Sequence, residues 1–289
     1  MTSVGAIFNP YPNPPEALLE AAIAAEQGGV AELWLWEDCF RESAFAAASA
    51  ALSVTSSLRV GIGIAPMPLR NVAVTAMEIA TLARMFPGRL LPGLGHGVQS
   101  WMSQVGARVA SPLTLMREYV PALRALLADD EITTAGRYVT LDRVRLDWPP
   151  AVVPLVYASA EGPKTLRLSG AVADGTVLDS RHTIDEVAHA AAEVRAGRVD
   201  EGRGGAHDVV AYAATTFGAD GLARAVADWD GGAPADAAER ILTGTVDEVA
   251  AGVRRFADAG VDRVILLPPR SEPDLAAYYS RVGEVAALI

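Results

Sequence analysis

Apolar positions along this chain cluster into short runs, separated by longer stretches in which they recur at helical spacing. Runs at 3–8, 32–36, 59–65, 89–95, 154–158, 175–178, 209–216 and 263–267 read as strands. The segments between them read as helices. Asn13-Pro14-Pro15-Glu16 offers an N-cap, a proline at the first helical position and an early acid. Leu18, Ala22 and Ala25, flanked by Leu19 and Ile23, then form a stripe that Gly28-Gly29 ends. A polar turn over 37–43 leads into an alanine-rich helix that finishes near Thr55. The next helix, 72–84, sets Met77, Leu82 and Met85 on its inner side. Helices are also predicted over 164–173 and 273–288, and Thr183 with Glu186, and Thr245 with Glu248, have capping-box spacing.

The stretch 101–150 breaks this rhythm. It holds a helix around 113–127, a turn at Gly136-Arg137-Tyr138 and a second at Pro149-Pro150. We read 97–152 as an insertion after strand four, at the barrel mouth. Eight strands, nearly all followed by helices, predict a parallel sheet of the α/β class. The expected architecture is a (β/α)8 TIM barrel, with residues 1–289 forming a single domain. The alternative, a doubly wound open sheet, usually carries G-x-G-x-x-G after its first strand, and none occurs here.

Composition narrows the class. The chain has 289 residues, near the usual size of one such barrel, and 51% are apolar against 20% charged, as in globular proteins. A net charge of −11, with basic residues scattered singly as Arg59, Arg70, Arg89, Lys164 and Arg263, counts against a nucleic-acid partner. A small-molecule substrate is expected instead. No apolar run reaches the roughly 18 residues of a membrane helix, and residues 1–9 lack the basic-then-apolar pattern of a secretory signal. The single cysteine, Cys39, fits a reducing cytosol, so a cytoplasmic location is expected.

In a barrel, functional groups sit where strands end, at the C-terminal face. That rule selects Asn9 and Tyr11, Glu37-Asp38-Cys39, Ala65-Pro66, Gly95-His96-Gly97, 159–164 and 179–182. Gly162-Pro163-Lys164 opens a helix, where free N–H groups and the positive helix end suit a phosphate; the same residues also suit an ordinary turn with a solvated lysine. The cluster from Gly93 to Gly97 admits a flat ring near the backbone or simply a tight turn. His96, His182, His189 and His207 show no metal-ligand spacing, so no metal is expected. Two adjacent acids push the Cys39 thiol away from reactivity, and no G-x-S-x-G elbow appears. Trp34, Trp36 and Trp101 are candidates to wall a planar ring or to fill core.

GIGIAPMPLRN at 61–71, FPGRLLPGLGHGVQSWMSQVGAR at 86–108, Arg117-Glu118, ASAEGPKTLRLSGAVADGTVL at 158–178 and GTVDEVAAGVRRFADAGVDRVIL at 244–266 together resemble the luciferase-like monooxygenase superfamily. The resemblance spans nearly the whole chain, is thinnest over 180–240, and through GPKTLRL favours the branch dependent on coenzyme F420. It implies a (β/α)8 barrel that binds FMN or F420 at its C-terminal mouth, and a homodimer. It implies a non-proline cis peptide at Gly63-Ile64 behind the deazaflavin ring, Asp38 near that ring, and Gly95, His96 and Gly97 on the substrate side. Ser159, Gly162, Pro163 and Lys164 are then expected to hold the phosphate and tail, with Arg117 and Glu118 structural.

One departure matters. Several F420-dependent dehydrogenases of the family carry Asp-His-Phe at the end of strand two, with the histidine as acid–base group, whereas this chain reads Asp38-Cys39-Phe40. Either His96 or Glu37 is therefore expected to take over the proton step, which a positioned group accelerates about 10²–10⁴-fold, or the enzyme is a reductase whose substrate is protonated by water or another side chain. The expected activity is hydride transfer between F420 and a small organic substrate. The alternatives are an FMN-dependent monooxygenase and a non-catalytic flavin- or deazaflavin-binding homologue.

Overall fold

A computed structural model describes residues 2–229 and 232–289. Met1, the first residue of the stretch read for a secretory-signal pattern, and 230–231, inside the stretch of thinnest resemblance, lie outside the described residues. Strands and helices alternate as the apolar pattern predicts. β1 (Ser3–Ile7) leads to α1 (Leu18–Gln27), β2 (Glu32–Leu35) to α2 (Ala44–Ser53), and β3 (Arg59–Pro66) to α3 (Val72–Met85). β4 (Leu90–Gly95) is followed by α4 (Gln99–Gln104), α5 (Pro112–Leu127) and a hairpin of β5 (Ile132–Ala135) and β6 (Thr140–Val144). β7 (Tyr157–Ser159) leads to α6 (Pro163–Val172), and β8 (Gly175–Leu178) to α7 (Ile184–Asp200). β9 (Asp208–Phe217) precedes α8 (Gly221–Ala227), α9 (Ala237–Arg240), β10 (Ile241–Gly244) and α10 (Val246–Asp258). β11 (Arg263–Leu267) and α11 (Leu275–Ala287) end the chain.

The eight strands β1, β2, β3, β4, β7, β8, β9 and β11 pair in parallel and in that order, and β11 returns to β1 through Ser3↔Arg263 and Ala6↔Leu266. The ring is closed: a (β/α)8 TIM barrel. Among the described residues β10 pairs with the C-terminal end of β9, as an added strand beside the mouth. Strands buried on both faces read as continuous apolar runs, which is why the pattern found all eight.

Two cores result. The larger lies between the strands and the ring of helices. The smaller fills the barrel lumen with Ile7, Trp34, Leu91, Tyr157, Val177, Val210, Tyr212 and Ile265. Trp34 is its centre, meeting Tyr157 edge-on at 5.7 Å and Tyr212 at 6.0 Å. A Cβ at position 61 would stand 2.2 Å from the Trp34 ring, so β3 passes this indole only as glycine. With the lumen filled, open space remains at the C-terminal end.

Several local expectations need correction. Asn13 does not cap α1: its amide donates to the Asn9 carbonyl at 2.9 Å, and a 3-10 turn starting at Pro15 precedes the helix. Met77 and Met85 are 59% and 61% exposed, while Val72, Thr75, Ala76, Ile79 and Ala83 join Leu82 on the buried face. The fifth barrel strand starts at Tyr157 and not at 154. The stretch after strand four has three parts. α4 lies at the mouth, whereas α5 is the ring helix between α3 and α6, with Tyr119 bonded to Thr75 at 2.7 Å. The β5–β6 hairpin folds back on α5, where the Glu118 carboxylate accepts the N–H groups of Arg137, Tyr138 and Val139. Both predicted capping boxes, Thr183 with Glu186 and Thr245 with Glu248, are formed. Among the described residues no helix is long and apolar enough to cross a membrane.

Candidate active site

A cavity of about 630 Å³ opens at the C-terminal end of the barrel, lined from every barrel strand or the loop after it. The strand-end rule thus reached part of its wall: Asn9, Tyr11, Glu37, Asp38, Pro66, His96, Gly97, Ser159, Glu161 and Asp179 all line it. Its floor is Gly63 and Ile64, where β3 shifts register against β4 between Ile62 and Ala65. The Gly63–Ile64 peptide is cis, at the position the resemblance implies, and so is Cys39–Phe40. The Tyr212 hydroxyl donates to the Gly63 carbonyl at 3.2 Å, and a Cβ at position 63 would lie 1.6 Å from that hydroxyl. Only glycine permits this packing of floor on lumen.

His96 leaves β4 into the cavity wall. Its Nδ1 is buried without a hydrogen-bond partner among the described residues. Burial lowers its pKa below the usual histidine value, so the ring is neutral at pH 7. Glu37 is 8% exposed, and both its oxygens are engaged. Arg70 grips it with two nitrogens, one at 3.0 Å from Oε2, and the first N–H of α2, at Ala44, donates to Oε2 at 3.0 Å. Glu37 therefore ties the β2 end to α2 and α3, and it has no lone oxygen for the proton step assigned to it from sequence. Asp38 accepts the Tyr11 hydroxyl on Oδ2 at 2.8 Å, and burial raises its carboxyl above the usual range. Burial, then Glu37 and Asp38, push the Cys39 thiol up, in line with the inert reading of this cysteine.

The anion-binding candidates divide. Ser159 and Thr165 line the cavity, whereas Gly162, Pro163 and Lys164 are exposed and stand outside that lining, at the start of α6. Gly95 is buried behind the wall, with its Cα side packed on Ile64 and Ser159. Of the tryptophans, Trp36 and Trp101 wall the cavity, and Trp34 is lumen core.

Sequence reasoning missed the wall contributed by β9 and β11. Tyr212, Ala214, Thr215, Asp228 and Trp229 line one flank, and Leu267, Pro268, Pro269 and Arg270 another. The same strand-end rule, applied to the last two strands, would have found them. It also gave no hint that Glu161, Asp179 and His182 converge, with ligand atoms within 4.8 Å of one another. His182 Nε2 lies 3.3 Å from Glu161 and 3.7 Å from Asp179, and these neighbours, Glu161 first, raise its pKa. Arg181 meets the Asp179 carboxylate through both Nε and its backbone N–H.

The cavity suits a flat, partly polar ligand. Its floor has no side chain at Gly63, its walls are aromatic at Tyr11, Trp36, Trp101 and Trp229, and polar groups such as Asp38, His96, Ser159 and Asp179 line it between them. His96 supplies an unsatisfied buried nitrogen that a ligand would complete.

A family model described as luciferase-like monooxygenase matches residues 2–229. Over 191 residues the chain is 32% identical to 5,10-methylenetetrahydromethanopterin reductase of Methanolobus tindarius, an alignment that covers 65% of this chain and 58% of that protein. It is 29% identical over 210 residues to F420-dependent hydroxymycolic acid dehydrogenase of Mycobacterium tuberculosis, covering 68% of this chain and 58% of that protein. The chain thus spans less than two thirds of the length of these curated relatives. Among solved structures, an F420-dependent secondary alcohol dehydrogenase in complex with an F420-acetone adduct superposes with a TM-score of 0.86 at 22% identity, covering 99% of this chain and 98% of that one. The coenzyme F420 dependent tetrahydromethanopterin reductase from Methanopyrus kandleri gives 0.82 at 20% identity, over 98% and 97%. At such identities the likeness establishes the shared fold.

Proposed function

Because the chain belongs to the luciferase-like monooxygenase family, we propose that it is a coenzyme F420-dependent oxidoreductase, built as one barrel domain, that moves a hydride to or from a small organic substrate. The observation that carries this reading is the construction of the cavity: a glycine floor backed by Tyr212 and, beside it, His96 with an unsatisfied Nδ1. The activities of F420-dependent relatives support it.

When bound, the deazaflavin supplies the hydride donor or acceptor. The residues of this chain do the rest. Gly63 and Ile64 would support the planar ring, with Trp36 and Val177 also in the lining beside it. Ser159 and Thr165 line the cavity where α6 begins and would contact the phosphate and tail through their hydroxyls, and the first turn of α6 carries no acidic residue. Gly162 leaves open space there, since a Cβ would meet nothing within 4 Å, and Pro163 and Lys164 flank it from outside the wall. His96, neutral, hydrogen-bonds the substrate's oxygen. Glu37 holds the loop that presents Asp38. In the same reading the enzyme is cytoplasmic and works as a homodimer, which size-exclusion chromatography with light scattering checks.

A parallel titration of apo-protein with oxidised F420 and with FMN, followed by tryptophan fluorescence, tests the assignment. Tight F420 binding with weak FMN binding is expected. The reverse preference would make the protein an FMN-dependent monooxygenase, and binding of neither would leave a non-catalytic barrel.

A further inference from the structure

We propose that Asp38, positioned by Tyr11, is the catalytic acid–base residue of this site; the inference rests on the hydride-transfer reading above. The family's histidine position holds Cys39, which lines only a small side cavity and not the main one. The residue before it does line the main cavity, and it is coupled to a second proton-bearing group.

The coupling is built rather than incidental. Tyr11 is fixed by contacts from four sides. Its N–H donates to the side chain of buried Asn9 at 3.0 Å. Its ring meets Trp36 edge-on at 6.3 Å, and the guanidinium carbons of Arg41 and Arg270 stand 3.7 and 4.7 Å from its centroid. The result is a hydroxyl held 2.8 Å from Asp38 Oδ2, while Oδ1 takes no hydrogen bond among the described residues.

The rival groups lack this arrangement. Both oxygens of Glu37 are held by Arg70 and Ala44. Among the described residues, the Nδ1 of His96 has no hydrogen-bond partner with which to exchange a proton. Around Asp38, among the described residues, Arg41 and Tyr11 favour the carboxylate, the Arg270 guanidinium stands over the Tyr11 ring, Glu37 and Cys39 adjoin it in the chain, and the Tyr212 hydroxyl at the floor feels its charge. Burial outweighs Arg41 and Tyr11, so the protonated carboxyl persists to higher pH than in an exposed aspartate.

In the reduction direction, a C–H bond forms at the substrate's carbonyl carbon with the hydride of the reduced deazaflavin. The C=O π pair moves to oxygen, which takes the proton of the Asp38 carboxyl as that O–H bond breaks. The carboxylate left behind accepts the Tyr11 hydroxyl and regains its proton from water at the mouth. In oxidation each step reverses, and the Asp38 carboxylate removes the hydroxyl proton as the hydride departs.

The test uses the full chain as wild type, Asp38→Asn and Tyr11→Phe. Carboxyl ¹³C NMR of the apo-protein should show Asp38 titrating above the ordinary value of 3.8. Its midpoint should move higher still in Tyr11→Phe, because the carboxylate loses a donor. With F420 bound and cyclohexanone as the probe for oxidation of the reduced cofactor, Asp38→Asn should lower kcat at least ~100-fold with F420 affinity nearly unchanged. In Tyr11→Phe the pH profile of kcat should shift upward with the NMR midpoint. An Asp38 midpoint that Tyr11→Phe leaves in place, or turnover of Asp38→Asn close to wild type, would overturn the assignment while leaving the hydride reading intact. A wild-type chain that binds no F420 would overturn both.

Discussion

The two ends of this barrel handle polar groups in opposite ways. At the N-terminal end, Glu32 is fully buried, and each charge around it is answered. It pairs with Arg59 at 2.6 Å and with Arg263, and it accepts the Trp34 indole N–H at 3.1 Å. Arg263 in turn meets Asp208 at 2.9 Å, and Tyr157 donates to Asp208 at 2.8 Å. At the C-terminal end the pairing stops short. His96 Nδ1 has no partner, Asp38 offers one oxygen without a hydrogen bond, and both oxygens of Glu42 are buried and unpaired among the described residues. The same strands thus begin in a satisfied network and end in a mixed one, where Glu37 is held by Arg70 and Ala44 but His96 and Asp38 are left for a ligand to satisfy. Polar groups with complete partners rigidify, whereas those left incomplete are available to bind and react.

Breaking the closed end should have the largest effect. Glu32→Gln leaves Arg59 and Arg263 facing each other without their shared carboxylate. We expect a loss of about 3–5 kcal/mol in denaturant unfolding, with F420 affinity of the folded fraction retained. Wild-type-like stability would show that the network is not a structural seal.

Gly63→Ala strikes the wall between the two ends, because the added methyl lands on the Tyr212 hydroxyl. A cost of roughly 1–3 kcal/mol is expected, together with loss of F420 binding in the titration. Retained binding would mean that the floor does not carry the ring. His96→Ala alters only the open end. Turnover should fall at least ~10-fold, while thermal unfolding stays within about 0.5 kcal/mol of wild type; unchanged turnover would remove His96 from the mechanism.

The smallest effect is a difference in pH response. Burial raises Glu42, at the open end, to about 7 from an ordinary 4.5. The folded state then binds its proton more tightly than the unfolded state. Its contribution is complete below pH 4.5 and is lost as pH rises through about 7. His207 precedes β9 at the closed end, where burial, then Arg198 and Arg203, lower it to about 4 from 6.5. Its contribution is complete above pH 6.5 and is lost as pH falls through about 4. In melts across this range, Glu42→Gln should remove the alkaline loss, about 1 kcal/mol, and leave the acid limb in place. His207→Gln should do the converse. An alkaline limb that survives Glu42→Gln would assign it elsewhere.

Much of the fold was legible because it is written in local periodicity. The eight barrel strands are continuous apolar runs, and the capping boxes at Thr183 and Thr245 are fixed by spacing alone. The elements that escaped are those without such a signal. β5 and β6 are half-exposed threonine- and charge-bearing strands, and β10 is four residues long. The inner face of α3 was misassigned because the methionines fit a helical stripe as well as the alanines that are in fact buried.

At the site, the sequence by itself determined which residues stand at the strand ends, since strand length and alternation place them at one rim. It gave Asp38, His96, Ser159 and the Gly63–Ile64 floor on that basis and by resemblance. Tertiary structure alone decided which of them are free to act. Glu37 and Asp38 are neighbours in the chain, yet Arg70 consumes one and Tyr11 steers the other. At the opposite end Glu32 finds its partner Arg263 from 231 positions away. Whether a polar group is satisfied depends on neighbours that only ring closure brings within hydrogen-bond reach, so no local pattern could have recorded it.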